Sequence, residues 1–222
     1  MSVGLALLGL IPGLARLMVA FAGGSQANPG DDPSASLVPV IAHIVSGTVF
    51  AVLGAFQFPT ALRRSRRTWH RRVGRLLAPV GLAAAVSGLW LTLYPRLNDA
   101  SALLTAIRLS FGTAMVGSIV VGYIAIRRRD VARHREWMIR AYALGLGVGT
   151  QVFTQGFGGA IFGRGELSTA LLTGAGWVIN LAVAEWVIRR RFHRRPRRTA
   201  AVVPQRRRQA NTRVAPLSGG TQ

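Results

Sequence analysis

Long apolar stretches alternate with short polar segments along this chain. Six of the stretches are about 20 residues long and nearly free of charge, and about 20 residues let a helix cross a hydrocarbon layer roughly 30 Å thick. Because helices satisfy their own backbone hydrogen bonds in lipid, the pattern predicts an all-α bundle of six transmembrane helices. The predicted spans are residues 3–22, 38–58, 76–94, 103–126, 141–162 and 167–188.

The first apolar stretch admits a second interpretation. Ala20, Phe21 and Ala22 resemble the small-x-small site at which a signal peptide is cleaved. Against this interpretation, no positive charge precedes the apolar run, and Pro12 and Arg16 interrupt it. A retained segment predicts six spans, whereas cleavage would leave five spans in the same orientation.

The arginines lie almost entirely on one side of the predicted membrane. The loop at 59–75 holds seven, the loop at 127–140 holds six and the tail from residue 189 holds eleven, which is 24 of the 28 in the chain. Short cytoplasmic loops carry an excess of positive charge, so both termini are predicted to be cytoplasmic. The sequence therefore divides into a transmembrane bundle at 1–188 and a basic tail at 189–222 that is predicted to be largely disordered.

Composition supports a membrane protein and excludes several chemistries. Half of the residues are hydrophobic and 16% are charged, against roughly 25% charged in soluble domains. The absence of cysteine from the sequence excludes disulfides, thiolate metal sites, iron–sulfur clusters and covalently attached c-type haem. Because the net charge of +21 arises between spans and in the tail, the expected partners are the bilayer and its anionic headgroups rather than nucleic acid.

Two of the four histidines stand in similar surroundings. His70 and His134 each follow an arginine-rich loop and precede a span, with an arginine pair six and seven residues earlier and an arginine directly after. The spacing suggests a repeated helical hairpin that places both imidazoles at one depth on the cytoplasmic rim. Two such imidazoles on non-adjacent helices could ligate one b-type haem. The candidate partners of the haem propionates are Arg71, Arg75, Arg135 and Arg140.

The same histidine and arginine pattern has a simpler interpretation. Arginines that only fix the topology, with histidines solvated at the membrane interface, would produce it without any cofactor. No metal other than a haem iron is predicted.

Other polar side chains fall inside the predicted spans. Ionisable residues at membrane depth are candidates for a functional site by default, although arginines near helix ends also extend to the interface. Glu185 lies one turn before Arg189, which predicts an ion pair within the last helix. The candidates for a polar membrane site are His43, Arg16, Arg108, Gln57 and Gln151.

The fifth span is unusually rich in glycine. Gly145 and Gly149 form a small-xxx-small pair, which indicates close helix packing. Gln151 and Gln155 are spaced to face one direction, where they either meet Asn180 of the sixth span or line a polar cavity. Among the spans, this one alone suggests a broken helix.

Three segments carry a resemblance to a known family: residues 43–57, 69–75 (WHRRVGR) and 134–142 (HREWMIRAY). Over residues 37–155 the chain resembles the bacterial predicted membrane proteins grouped as domain of unknown function 2306. The resemblance implies a multi-pass protein of the bacterial cytoplasmic membrane and implies little about chemistry.

A weaker likeness is to the transmembrane di-haem b-type cytochromes that reduce ferric iron or ascorbate radical. It is carried by His43, Gly47, Gln57, Trp69, His70 and Gly74. That family pairs haem ligands from helices two apart, which would match His70 with His134. The fourth span has no histidine, so His43 lacks the partner that a second haem would require.

The sequence leaves three candidate functions. Nothing resembles a nucleotide-binding loop, a Ser-His-Asp arrangement or a metalloprotease motif, so hydrolytic and kinase chemistry has no support. The first candidate is a non-enzymatic integral membrane protein with a polar centre and a rim rich in histidine and arginine. The second is a b-type haem-binding redox protein, which would be a membrane oxidoreductase, and the third is a small-solute transporter.

Overall fold

The computed structural model describes residues 34–58, 65–93 and 100–193, and the side chains within 38–58, 65–93 and 100–190. The first predicted span, at 3–22, and the tail from residue 194 lie outside the described residues. The described part is all-helical, which confirms the predicted class. Its six helices are α1 Ser34–Ala55, α2 Arg67–Leu93, α3 Ala102–Arg127, α4 Val131–Gly145, α5 Gly147–Phe162 and α6 Glu166–His193.

Four of these helices are long and apolar enough to cross a membrane. They are α1 from Val38, α2, α3 and α6 as far as Arg190. The predicted span at 141–162, whose glycines suggested a broken helix, is divided at Leu146 between α4 and α5, which have 15 and 16 residues. The count of six spans therefore stays a prediction.

The turn between α3 and α4 shows how local sequence sets the helix ends. The amide of Asp130 donates to the carbonyl of Ala125 and that of Arg129 to the carbonyl of Ile126, at 2.9 and 3.0 Å, with Arg129 at a φ of +62°. These two bonds form a Schellman motif that closes α3. The Asp130 carboxylate then accepts from the amide of Arg133 at 3.0 Å and caps α4.

The helices α1, α2, α3 and α4 pack as a ring of antiparallel neighbours, and α6 packs outside against α3, α4 and α5. The core lies where Phe50 of α1 fits against Gly81 of α2 and Gly145 of α4. Tyr142 of α4 donates to the carbonyl of Ala51 at 2.8 Å and ties α4 to α1. Many large apolar side chains point outward from the bundle, as expected of helices that face lipid.

Arginines collect at the end of the bundle where α2 and α4 begin and where α1, α3 and α6 end. We call this the arginine-rich end; it includes Arg66, Arg67, Arg128, Arg133 and Arg189. The side of the bundle away from it, where α5 ends and α6 begins, is called the opposite end.

Candidate functional site

Side chains of α6 form hydrogen bonds with backbone carbonyls at the junction between α4 and α5. The indole Nε1 of Trp177 donates to the carbonyl of Leu144 at 3.1 Å, and the amide of Asn180 donates to the carbonyl of Ala143 at 3.1 Å. In a continuous helix these carbonyls would accept from the amides of Val148 and Gly147, four residues later. Tertiary hydrogen bonds thus engage the backbone groups that would otherwise continue α4 into α5.

Glycine makes this arrangement possible. A Cβ on Gly147 would overlap Nε1 and Cδ1 of the Trp177 indole, and one on Gly176 would lie 2.7 Å from the side chain of Gln151. The indole also stacks on Phe111 of α3, with ring centroids 5.0 Å apart. The chain at the break therefore packs directly against α6.

A cavity of about 410 Å³ lies in the half of the bundle toward the opposite end. It exists because α5 packs along α6, which leaves space between α5 and the helices α1, α2 and α3. Its wall includes the break itself, at Leu146, Val148 and Gly149. Volumes of about 300 Å³ and above are typical of small-molecule sites. The polar residues of the lining are His43, Thr48, Thr92, Arg108, Gln151, Gln155, Thr173 and Trp177.

His43 faces α2 from the middle of α1. Its Nδ1 lies 2.8 Å from the carbonyl of Ala84 and 3.4 Å from the hydroxyl of Ser87. A carbonyl only accepts, so Nδ1 carries the proton. A Cβ on Gly88 would lie 2.9 Å from the ring, so the glycine allows the imidazole to approach α2.

The two glutamines of α5 converge on one residue of α6. Gln151 donates through Nε2 to the carbonyl of Thr173 at 3.2 Å, and Gln155 donates through Nε2 to its hydroxyl at 2.9 Å. That hydroxyl donates in turn to the carbonyl of Thr169. Both amide orientations are therefore fixed by hydrogen bonding. Asn180 contacts Thr150 rather than the glutamines.

The structure brings three of the predicted polar residues to this cavity: His43, Arg108 and Gln151. Gln57 lies elsewhere, and its buried amide atoms have no hydrogen-bond partner among the described residues. Arg16 falls outside the described residues. Sequence reasoning missed Thr92, Thr173 and Trp177, because a threonine or tryptophan inside an apolar span carries no signal of the face it presents.

The two rim histidines occupy equivalent positions. His70 is the fourth residue of α2 and His134 the fourth of α4, and each donates its backbone amide to the residue four before it at 3.0 Å. The Nδ1 of His134 lies 2.8 Å from the carbonyl of Gly122 on α3. A histidine that ligates a metal through Nε2 commonly makes such a bond, so the tautomer of His134 fits the haem hypothesis.

Arg140, one of the predicted partners of the haem propionates, forms an ion pair with a residue of α6. Arg140 donates through Nε and Nη2 to the carboxylate of Glu185 on α6, at 2.5 and 3.1 Å, and its guanidinium lies 4.8 Å from the ring centroid of Trp137. Glu185 therefore forms a salt bridge with Arg140 of α4, a partner that the sequence did not predict, while Arg189 also interacts electrostatically with its carboxylate. A haem carboxylate at Arg140 would share the guanidinium with Glu185 or displace it. The haem hypothesis stays a prediction.

The described fold and its lipid-facing surface define a multi-pass helical membrane protein. Residues 40–188, more than half of the chain, match the family described as predicted membrane protein, domain of unknown function 2306. The chain belongs to this family. The match begins at residue 40 and extends past residue 155, where the resemblance ended, so that it includes most of α6. Neither a curated protein nor a solved structure matches the chain.

Proposed function

We propose that this protein binds a small solute inside the membrane and belongs to the transporter class, with the cavity between α5 and α1–α3 as its site. The observation that carries the proposal is the convergence of polar side chains from all three of these helices and from α5 and α6 on one cavity at a helix break. Discontinuous helices commonly line the solute sites of membrane transporters.

The free-energy cost of placing these polar groups inside the membrane supports the proposal. An arginine costs about 2.5–3.5 kcal/mol at the middle of a membrane helix and less toward its ends. Arg108, the seventh residue of α3, carries part of this cost, which an apolar residue would avoid. Arg108 lines the cavity together with His43 and Gln155. Ionisable residues inside membranes mark solute and ion pathways, and a solute site gives the polar lining a use that simple packing does not.

The orientation of the bundle follows from charge. We infer that the arginine-rich end faces the cytoplasm and contacts anionic lipid headgroups there. At that end the Arg190 guanidinium lies 4.0 Å from the ring centroid of Trp186, an arrangement suited to the membrane interface, where both residue types are enriched. The cavity then lies in the outer half of the bacterial cytoplasmic membrane.

Cysteine labelling tests whether the cavity is open to water. The chain has no cysteine, so single-cysteine variants have no background. Val152 lines the cavity and is 39% exposed, whereas Val178 on α6 is 56% exposed and does not line it. Val152 lies ten residues from the end of α5 and Val178 twelve residues from the start of α6, so the two are matched in depth and residue type.

The anionic reagent sulfonatoethyl methanethiosulfonate, added outside intact cells, should label Val152→Cys and leave Val178→Cys unlabelled. The reason is that a water-filled cavity permits thiolate formation, whereas lipid prevents it. Equal labelling at both sites, or none at Val152→Cys in a folded protein, would contradict the proposal.

A further inference from the structure

We infer that the solute is an uncharged planar molecule with a primary amide or urea group, and that the side-chain amides of Gln151 and Gln155 bind this group. The inference rests on the proposed function, since it names the chemical class of the solute held in the same cavity. Three features of the cavity carry it: the hydrogen-bonding groups of the two glutamines, the balance of charge in the lining and the aromatic part of the wall.

The first feature is the orientation of the two glutamine amides. The carbonyl of Thr173 can only accept, so the atom that Gln151 places 3.2 Å from it is Nε2. The Thr173 hydroxyl donates its one proton to the carbonyl of Thr169, so it accepts from Nε2 of Gln155. Each Nε2 therefore keeps one further N–H, and neither Oε1 accepts a hydrogen bond from another residue in the described part of the chain.

These remaining groups form one hydrogen-bonding surface. Gln151 and Gln155 both line the cavity and lie one helical turn apart on α5, so a solute in the cavity can reach both side chains. Each side chain offers it a carbonyl oxygen with two lone pairs and one N–H donor. A primary amide or a urea group is complementary to this surface, because it carries N–H donors and a carbonyl acceptor in one plane.

The second feature is the balance of charge in the lining. The described residues that line the cavity include neither Asp nor Glu, so a cation would find no carboxylate among them. Arg108 already interacts with another group and is not reserved for an anion. Leu144 and Gly145 at the carbonyl end of α4 lie in the same lining as Val148 and Gly149 at the amide end of α5, and the partial charges of these two ends have opposite signs. Because burial of an unpaired ion is costly, the lining favours an uncharged solute.

The third feature is the aromatic part of the wall. The rings of Phe111 and Trp177 stack with an angle of 24° between their planes, and both residues line the cavity. Aromatic surfaces favour contact with another planar ring. The lining therefore combines amide hydrogen-bonding groups with an aromatic surface, and an aromatic amide matches both.

Four probes of similar size and shape test the inference. Benzamide, acetophenone, benzoate and benzamidinium share one ring; acetophenone has a methyl group in place of the benzamide NH2, and the last two are an anion and a cation. Binding of each probe to the full chain in lipid nanodiscs at pH 7 is measured by saturation-transfer NMR titration. A site built to hydrogen-bond N–H groups rejects an analogue that lacks them. We therefore expect benzamide to bind roughly tenfold or more tightly than each of the other three.

Variants assign the selectivity to the glutamines. Gln151→Met and Gln155→Met retain an unbranched side chain and remove the amide, so each should weaken benzamide binding roughly fivefold, as the loss of one hydrogen bond would, and leave acetophenone binding unchanged. Phe157→Met is the control, because Phe157 is an exposed residue of α5 outside the cavity lining. If Gln151→Met fails to fold because its side chain lies against Gly176, Gln155→Met at an exposed position still tests the assignment.

The outcomes separate the two proposals. Binding of acetophenone, benzoate or benzamidinium that equals or exceeds that of benzamide would overturn the inference. So would benzamide that does not saturate on a folded chain, or benzamide binding that the glutamine variants leave unchanged. The labelling of Val152→Cys tests the proposed function separately. A labelled cysteine together with a failed benzamide titration rejects the solute class alone, whereas an unlabelled cysteine in a folded protein rejects the solute site itself.

Discussion

Because Trp177 packs directly against Gly147, adding a single methyl group at this glycine should destabilise the protein. In Gly147→Ala the new Cβ would overlap Nε1 and Cδ1 of the indole. The ring cannot withdraw freely, because Nε1 is bonded to the carbonyl of Leu144 and one face stacks on Phe111. We therefore expect the indole to shift, its hydrogen bond to break and α5 to move relative to α6.

The magnitude follows from three contributions. Overpacking in a well-packed region costs about 1–3 kcal/mol, and loss of the Trp177 hydrogen bond costs about 1 kcal/mol. Replacement of glycine by alanine in a helix increases the free energy of unfolding by about 1 kcal/mol. The control Gly156→Ala, on the same helix with nothing within 4 Å of its Cβ, has only the last contribution. The free energies of unfolding of the two variants should therefore differ by about 2–4 kcal/mol.

The assay is reversible unfolding in mixed detergent micelles, followed by tryptophan fluorescence and far-UV circular dichroism. A Trp177→Phe background removes the indole nitrogen and leaves space, so there Gly147→Ala should cost less than in the parent chain, as a double-mutant cycle would show. Gly147→Ala that destabilises the protein no more than Gly156→Ala would refute this account of the helix break. So would an equal cost in the Trp177→Phe background.

Three further outcomes are expected. Glu185→Gln should destabilise the bundle by about 1 kcal/mol, because it removes the carboxylate charge from a part-exposed ion pair with Arg140. Glu166→Gln on the exposed start of α6 should change little, and unfolding in micelles measures both. A reporter domain inserted at Ser65 should report the cytoplasm, and an exterior signal would reverse the orientation inferred from the arginines. The haem hypothesis predicts that the purified protein shows a Soret band, which His134→Ala removes and His43→Ala retains. Protein purified from haem-supplemented cells that shows no Soret band would rule out the hypothesis.

Particular residues show how far sequence reasoning reached. The apolar lengths gave the helical class, because hydropathy is a local property that one segment displays without its neighbours. The depth of His43, Arg108 and Gln151 in apolar spans marked them as polar membrane residues, and the structure places all three around one cavity. Their common location was not visible in the sequence, since it depends on which faces of α1, α3 and α5 meet.

Two features of the structure were left unspecified by the sequence, for the same physical reason. Glu185 has an arginine one turn away on its own helix, yet it pairs with Arg140, because packing of α6 on α4 places that guanidinium 2.5 Å from its carboxylate. The glycine-rich fifth span suggested a broken helix, but its sequence did not specify that the break falls at Leu146. Its glycines permit the break, but the hydrogen bonds that engage its carbonyls come from Trp177 and Asn180, which lie 33 and 37 residues after the carbonyls that they bind.

The sequence by itself determined that this chain is a helical membrane protein, where most of its helices lie and which of its loops carry the positive charge. These properties follow from the free energy of transferring each segment from water to lipid. Every residue contributes to that free energy almost independently of its neighbours. Only the tertiary structure decided the position of the helix break, the pairing of Arg140 and the cavity between α5 and α1–α3. Each of these depends on a side chain that finds its partner on another helix, and a linear pattern does not specify that partner.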